Sequence, residues 1–282
     1  MRKYLLFAIF FLLVTVEVKA DSARFYFETN TREAAPGSEI TVKLKLSSQN
    51  PINAINLVLY YPPEIFKLLT FNDSHSIIDV WKTRQIQEGS DAIYIEGGLT
   101  KPFSGIDGEI VEITFKARTE GLARLAGIPE IYLADGLGTR QTLPEQEFEI
   151  LIDSQAAIIK PETKIDREPP RFEFIQIFWS PAESAYLVVF QAKDSLSGLR
   201  AVYLRAMNWL KWTKWAETAN PARLSSGVWR YQIKAIDNQG NENKETLYLW
   251  RELILKIVYL VLVIFILGGI ILLRKCQRLE KS

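Results

Sequence analysis

One cysteine and one histidine are present among 282 residues. The cysteine, Cys276, lies near the C-terminus, beyond a long apolar run. No disulfide can therefore staple the body of the chain, which must be held by a hydrophobic core. Cys276 itself reads as a free thiol. The histidine, His75, sits in Asn72-Asp73-Ser74-His75. Alone, it excludes multi-histidine metal sites and leaves little for a Ser-His-Asp triad. Charge of one sign is also lacking: 34 basic residues face 33 acidic ones, a net of +1. Nothing here drives nucleic-acid binding. There is no Gly-x-Ser-x-Gly, no phosphate-cradling glycine loop and no cysteine pair. Acids are abundant, but none are arranged as a distinctive pair for glycoside hydrolysis. These absences predict a protein that is not an enzyme and carries no cofactor or metal.

Long apolar runs, in contrast, occur at both ends. Tyr4 to Val16 follows Arg2-Lys3 and leads to Val18-Lys19-Ala20. This is the build of a secretory signal over residues 1–20, cleaved after Ala20. It is short for a span, which needs roughly 20 residues. The second run, Leu253 to Leu273, is long enough. It predicts a transmembrane helix over 251–273, with Trp250 and Tyr259 at the outer interface. The tail, 274–282, carries Arg274, Lys275, Arg278 and Lys281 against Glu280. The positive-inside rule puts that tail in the cytoplasm. The expectation is a single-pass membrane protein with an exported, cell-surface ectodomain. Gly268-Gly269 is not a G-x-x-x-G pair, so helix dimerisation has no support.

Between the runs, short alternating segments separated by turns predict β-strands. In the first part, 21–152, these are Arg24–Glu28, Glu39–Leu46, Asn53–Tyr61, Asp91–Glu96, Glu109–Ala117, Ala123–Leu125 and Gln146–Ile152. Within Asn53–Tyr61, Ile55, Leu57, Leu59 and Tyr61 face the core. Ala54, Asn56, Val58 and Tyr60 face the other way. Glycines at 97, 98, 105, 108 and 121 read as turns. The stretch 153–170, with Lys160-Pro161-Glu162 and Glu168-Pro169-Pro170, reads as a stiff, extended linker. In the second part, 171–250, strands are expected at Arg171–Trp179, Ala185–Ala192, Leu199–Arg205, Gly227–Ala235 and Glu245–Trp250.

Three motifs carry a family resemblance. Pro36-Gly37-Ser38-Glu39 before Ile40-Thr41-Val42 looks like the Pro-Gly-Asp opening of cohesin domains. Tyr61-Pro62-Pro63 with Ile65-Phe66 resembles the cohesin Tyr-Asp-Pro turn. Gly108-Glu109-Ile110-Val111-Glu112-Ile113-Thr114-Phe115 resembles the Gly-x-Leu-x-x-Ile-x-Phe strand. The resemblance covers nearly all of 21–152. It implies a nine-stranded jelly-roll sandwich related to carbohydrate-binding modules, gripping a dockerin on one flat sheet face or acting as a sugar-associated module. The sequence departs from dockerin-binding cohesins at Ala54 and Asn56, where Asn-x-Asp is usual, and at Pro62, where the turn has Asp. Asn56, Tyr60, Tyr94 and Glu96 remain as a candidate ligand-binding face for a carbohydrate or a dockerin-like protein partner. The alternative is an ordinary solvated sheet face.

The second part resembles bacterial Ig-like repeats. Asp194-Ser195-Leu196-Ser197-Gly198-Leu199 matches their Asp-x-x-Ser-Gly-Ile turn, and Ala235-Ile236-Asp237-Asn238-Gln239-Gly240-Asn241 their Ala-x-Asp-x-x-Gly-Asn hairpin. This implies a spacer or adhesion module. Asp237, Asn238, Asn241 and Glu242 are oxygen donors of the kind calcium takes. The glycine comes too early for an EF-hand, and a side-chain-capped turn is the better reading. Trp209, Trp212 and Trp215 invite a sugar-stacking reading. At three-residue spacing, a strand would turn Trp212 and Trp215 to opposite faces, whereas a helical turn would align them. Core packing plus a membrane-proximal belt is expected, with a sugar-binding or membrane-surface patch as the alternative. Asn72-Asp73-Ser74 matches a glycosylation sequon, a pattern frequent by chance.

Taken together, the sequence predicts an all-β protein: a cohesin-like jelly-roll β-sandwich, a smaller Ig-like β-sandwich and one C-terminal transmembrane helix. The expected function is a membrane-anchored surface binding module, in polysaccharide utilisation or cell-surface assembly. The alternative is a structural envelope or adhesion protein without a small-molecule ligand.

Overall fold

The computed structural model describes residues 23–86, 91–160, 165–208 and 211–279. The expected signal segment, residues 161–164 of the linker, Trp209, and Glu280 and Lys281 of the tail lie outside the described residues.

The first sandwich is built from β1 (Ala23–Thr29), β2 (Glu33–Ala34), β3 (Glu39–Tyr60), β4 (Phe66–Asn72), β5 (Val80–Ile86), β6 (Ala92–Ala117), β7 (Gly121–Leu133), β8 (Arg140–Thr142) and β9 (Gln146–Ile152). Two long strands, β3 and β6, belong to both layers. The first half of β3 pairs with β1 and the end of β6. Its second half pairs with the start of β6 and with β7. One layer therefore reads β1-β3-β6-β4, and the other β5-β6-β3-β7-β9.

The sequence suggested two separate strands where each long one runs. The breaks are bends, not exits from the sheet. On β3 the register shifts between Ser48 and Ile52, around Pro51, which has no N–H to give a ladder. Gly97 and Gly98, expected in a turn, lie inside β6. A Cβ on Gly97 would come 2.9 Å from the Val80 carbonyl oxygen, so glycine is there to let β5 approach. Alternation does the rest. Ile40, Val42, Leu44 and Leu46 are fully buried, as are Ile55 and Leu59. They meet Ile93, Ile95, Ile113 and Phe115 in one core, where Phe66 and Phe115 stack at 5.2 Å.

A second core lies in a smaller sandwich. One sheet holds β10 (Arg171–Ser180), β11 (Ala185–Lys193) and the short β15 (Ala222–Arg223). The other holds β12 (Leu199–Asn208), β16 (Arg230–Asp237) and β17 (Glu242–Tyr248), with β13 (Lys211–Trp212) and β14 (Ala216–Glu217) on β12. Phe190, Val202, Tyr231 and Ile233 fill the space between them. Trp250, expected at a strand end, instead starts a helix, α1 (Trp250–Leu279). The ladder ends when Leu249 N–H donates to Trp229 O at 2.8 Å. Leu249 O then accepts from Glu252 and Leu253 N–H, which closes the first helical turn. Over Trp250–Ile270 the mean hydropathy is 2.8 and nothing is buried, so α1 is long and apolar enough to cross a membrane.

The linker is not a free tether. Ala157 O and Ile159 O accept N–H bonds from Ala35 and Glu39 of the first sandwich. At its other end Asp166 is buried, bonded to Ser197 N–H and Gln239 of the second. The sandwiches also meet directly through the loop between β4 and β5. Asp73 Oδ1 accepts Leu199 N–H at 2.7 Å, and Asn238 donates to Phe71 O at 2.9 Å. Asp79 Oδ1 accepts from Lys193 at 2.6 Å and from Gln191 at 3.1 Å, while Oδ2 takes Thr100 N–H and hydroxyl. Gly198 seats this contact: its φ is +77°, and a Cβ there would come 2.7 Å from Asp73 N. Asn72 of the sequon is committed here too, donating to Leu196 O.

Candidate functional site

The outer face of the β5-β6-β3-β7 layer gathers the four residues singled out in the sequence. Asn56 on β3 stands directly opposite Glu96 on β6 and Glu130 on β7. Thr83 on β5 continues the row beyond Glu96, and Thr142 on β8 continues it beyond Glu130. One polar row thus crosses five strands. Beside it runs an apolar row: Tyr94, Val58 and Ile128 are direct cross-strand partners. Tyr60, two residues beyond Val58, extends that patch between Ala92 and Ala126. Tyr94 is 46% exposed, Tyr60 39% and Ile128 36%. The strand period turns Asn56, Val58 and Tyr60 outward by burying Ile55, Leu57 and Leu59, and the cross-strand register sets what stands beside them.

The polar row is internally satisfied. Glu96 meets Lys82 Nζ at 2.8 Å and accepts from the Thr83 hydroxyl at 3.2 Å. Lys82 holds the Glu96 carboxyl below its ordinary range; burial opposes this, and the Thr83 hydroxyl adds a smaller lowering effect. Asn56 donates to the Tyr132 hydroxyl at 3.3 Å, and Glu130 lies 3.5 Å from Arg140. Glu96 is therefore ionised at neutral pH, the reverse of what a proton donor in glycoside cleavage needs. Val58, Ile128, Glu130 and Tyr132 were not singled out in advance. Val58 was already on the right face. The other three needed the β3–β7 register, which no local pattern reveals.

Trp212 and Trp215 do not lie on one continuous strand. Trp212 and Trp215 share one face, with the Arg205 guanidinium over both rings at 4.8 and 4.3 Å. The period-two rule fails because no strand runs through them: β13 ends at Trp212 and β14 begins at Ala216. The stack continues on both sides. Arg230 lies over Trp212 and Tyr248, and Lys234 over Trp215 and Tyr203. Rings covered by cations offer no open sugar platform.

The four oxygen donors of the 237–242 turn do not converge either. Glu242 pairs with Lys234 and Lys244, and Asn238 bonds across to Phe71. Asp237 caps its own turn through Gln239 and Asn241 N–H. It does share a buried cluster with Asp166 and Asp194, whose carboxylate oxygens lie within 4.8 Å of one another. Burial opposes ionisation of Asp166, but the N–H groups of Glu168 and Ser197 outweigh it and lower its pKa. Asp194 Oδ1 accepts three backbone N–H bonds, from Leu196, Ser197 and Gly198. His75 is exposed and its ring bonds only Ser74 next to it, so no triad is assembled around it among the described residues.

The described chain is thus an all-β protein of two sandwiches with a C-terminal apolar helix. No family model and no curated protein matches it. Among solved structures it is similar to the cohesin module of a Clostridium perfringens family 33 glycoside hydrolase, at 16% identity over 49% of this chain and 99% of that one, with a TM-score of 0.40. It is also similar to the sixth cohesin of Acetivibrio cellulolyticus scaffoldin B, solved with a dockerin, at 18% identity over 46% and 99%, TM-score 0.37. A third is the non-cellulosomal cohesin of Archaeoglobus fulgidus, at 20% identity over 45% and 91%, TM-score 0.34.

Proposed function

We propose that this chain is a membrane-anchored, non-catalytic binding protein whose first sandwich grips a protein partner on its outer sheet face. One observation carries the reading: exposed Tyr60, Tyr94 and Ile128, with half-buried Val58 among them, form an apolar patch beside a polar row whose two carboxylates are ion-paired. An apolar, aromatic centre with a charged border is how protein interfaces are organised. The dockerin-like partner is favoured over carbohydrate for two reasons. The carboxylates are already taken by Lys82 and Arg140, leaving few free acceptors for sugar hydroxyls. Half of the patch is aliphatic, which suits side chains more than sugar rings. The cohesin motifs in the sequence support the same reading. The second sandwich, with its Ig-like turn motifs, serves as the spacer, and α1 as the anchor that holds the ectodomain outside the cell.

The test is site-specific photo-crosslinking in the native envelope. A benzoylphenylalanine at Tyr94 is expected to give a discrete protein adduct. The same probe at Ile106, which is 81% exposed on the bend of β6, gives none. Equal labelling at both positions, or none at Tyr94, overturns the reading.

A further inference from the structure

The lower end of the second sandwich forms a cleft of about 540 Å³ against the first turn of α1. Its walls carry Arg223 from β15, Arg251 from α1, the Tyr186 hydroxyl and Trp179. Arg251 donates to the Tyr186 hydroxyl at 3.3 Å, and Arg223 to Glu183 O at 3.3 Å. Among the described residues neither guanidinium lies within ion-pair distance of a carboxylate, although Glu252 also lines the cleft. Both arginines thus have donors to spare, beside Trp179, which is 47% exposed; Trp250, 62% exposed, precedes Arg251 on α1 and stacks on Tyr248.

We infer that this cleft is a seat for the headgroups of anionic phospholipids in the bilayer that α1 enters. The inference rests on α1 being the membrane anchor. Position decides the occupant. Only Leu249 separates β17 from α1; it is buried, and its backbone bonds tie both together. No slack therefore lifts the sandwich away from the lipid. The apolar span starts at Trp250, so Arg251 lies within about 2 Å of its edge at a rise of 1.5 Å per residue. That is headgroup depth, where tryptophan rings collect and guanidinium groups pair with phosphate. Two arginines against the single acid Glu252 leave a positive balance, which selects anionic over zwitterionic lipid.

The experiment uses the full chain in vesicles of phosphatidylcholine with phosphatidylglycerol. Flotation on a gradient after alkaline washing reports anchoring. Native mass spectrometry of the released protein reports which lipid stays bound. The wild type is expected to float and to retain phosphatidylglycerol. The Arg223→Gln/Arg251→Gln variant is expected to float equally and to lose that preference on the order of tenfold. The Arg223→Lys/Arg251→Lys variant, which keeps the charge, is expected to retain most of it. Failure to float overturns the anchor reading itself. Floating with no lipid preference, or with a preference that survives the glutamine pair, overturns the headgroup seat alone. An unchanged melting curve for the glutamine variant shows that its fold is intact.

Discussion

Asp79 shows how a single carboxylate can join two sandwiches. Its Oδ1 reaches Lys193 and Gln191 in the second, and its Oδ2 is held by Thr100 in the first. Burial opposes its charge, but Lys193 and the Thr100 hydroxyl and N–H outweigh that and lower its pKa. Asp166 is lowered as well, for the reasons given above. Both groups are therefore more acidic folded than unfolded. Their stabilisation is complete above the ordinary carboxylate pKa and is lost as pH falls through and below about 4. Urea midpoints of the ectodomain are expected to hold from neutral pH to about 5 and then drop, with Asp79→Asn flattening that drop. A wild-type midpoint that stays constant down to about pH 3 would contradict this. Gly198 gives a second test at this scale. Gly198→Ala combines a positive φ with a clash against Asp73, and should cost about 1–3 kcal/mol in chemical denaturation. It should also loosen the inter-sandwich contact, read as a larger radius of gyration in small-angle scattering. An unchanged radius would mean the seat does not depend on Gly198.

At the scale of elements, the cation–aromatic stack on β12, β16 and β17 is the feature most distant from local pattern. Arg205 bridges two tryptophans and also donates to Gln232 at 2.9 Å. Arg205→Ala should lower the stability of the second sandwich by about 1–3 kcal/mol and reduce near-ultraviolet tryptophan dichroism. Preserved dichroism would argue that the rings are held by other contacts. The stack was illegible in the sequence because it joins residues from separate strands, and because a break after Trp212 cancels the strand period. Alternation, by contrast, was fully legible: Ile40 to Leu46 and Ile55 to Leu59 are buried as their period requires. Strand ends were less so. Glycine and proline mark bends as well as turns, so β3 and β6 each looked like two strands. Strands β4 and β5 were missed, since Phe66–Asn72 and Val80–Ile86 lack clean alternation. Asn56, Tyr60, Tyr94 and Glu96 could be placed on one face because period and family motifs agreed there. Ile128 and Glu130 could not, because register between β3 and β7 is a tertiary property.

Across the whole molecule, direct contacts join the two sandwiches beside the linker. The β4–β5 loop, the docked ends of the linker and the bonded junction at Leu249 connect the first sandwich to the helix through contacts among the described residues. On the proposed function, a partner held on the Tyr60–Tyr94–Ile128 face would be presented at a fixed distance from the lipid. The measurement that tests this account most directly is calorimetric titration of the ectodomain with the partner captured at Tyr94. Wild type and Ile106→Ala should bind alike. Tyr94→Ala and Ile128→Ala should each weaken binding by about tenfold or more, with melting temperatures unchanged. Undiminished affinity in both would contradict the claim that this face is where the protein does its work.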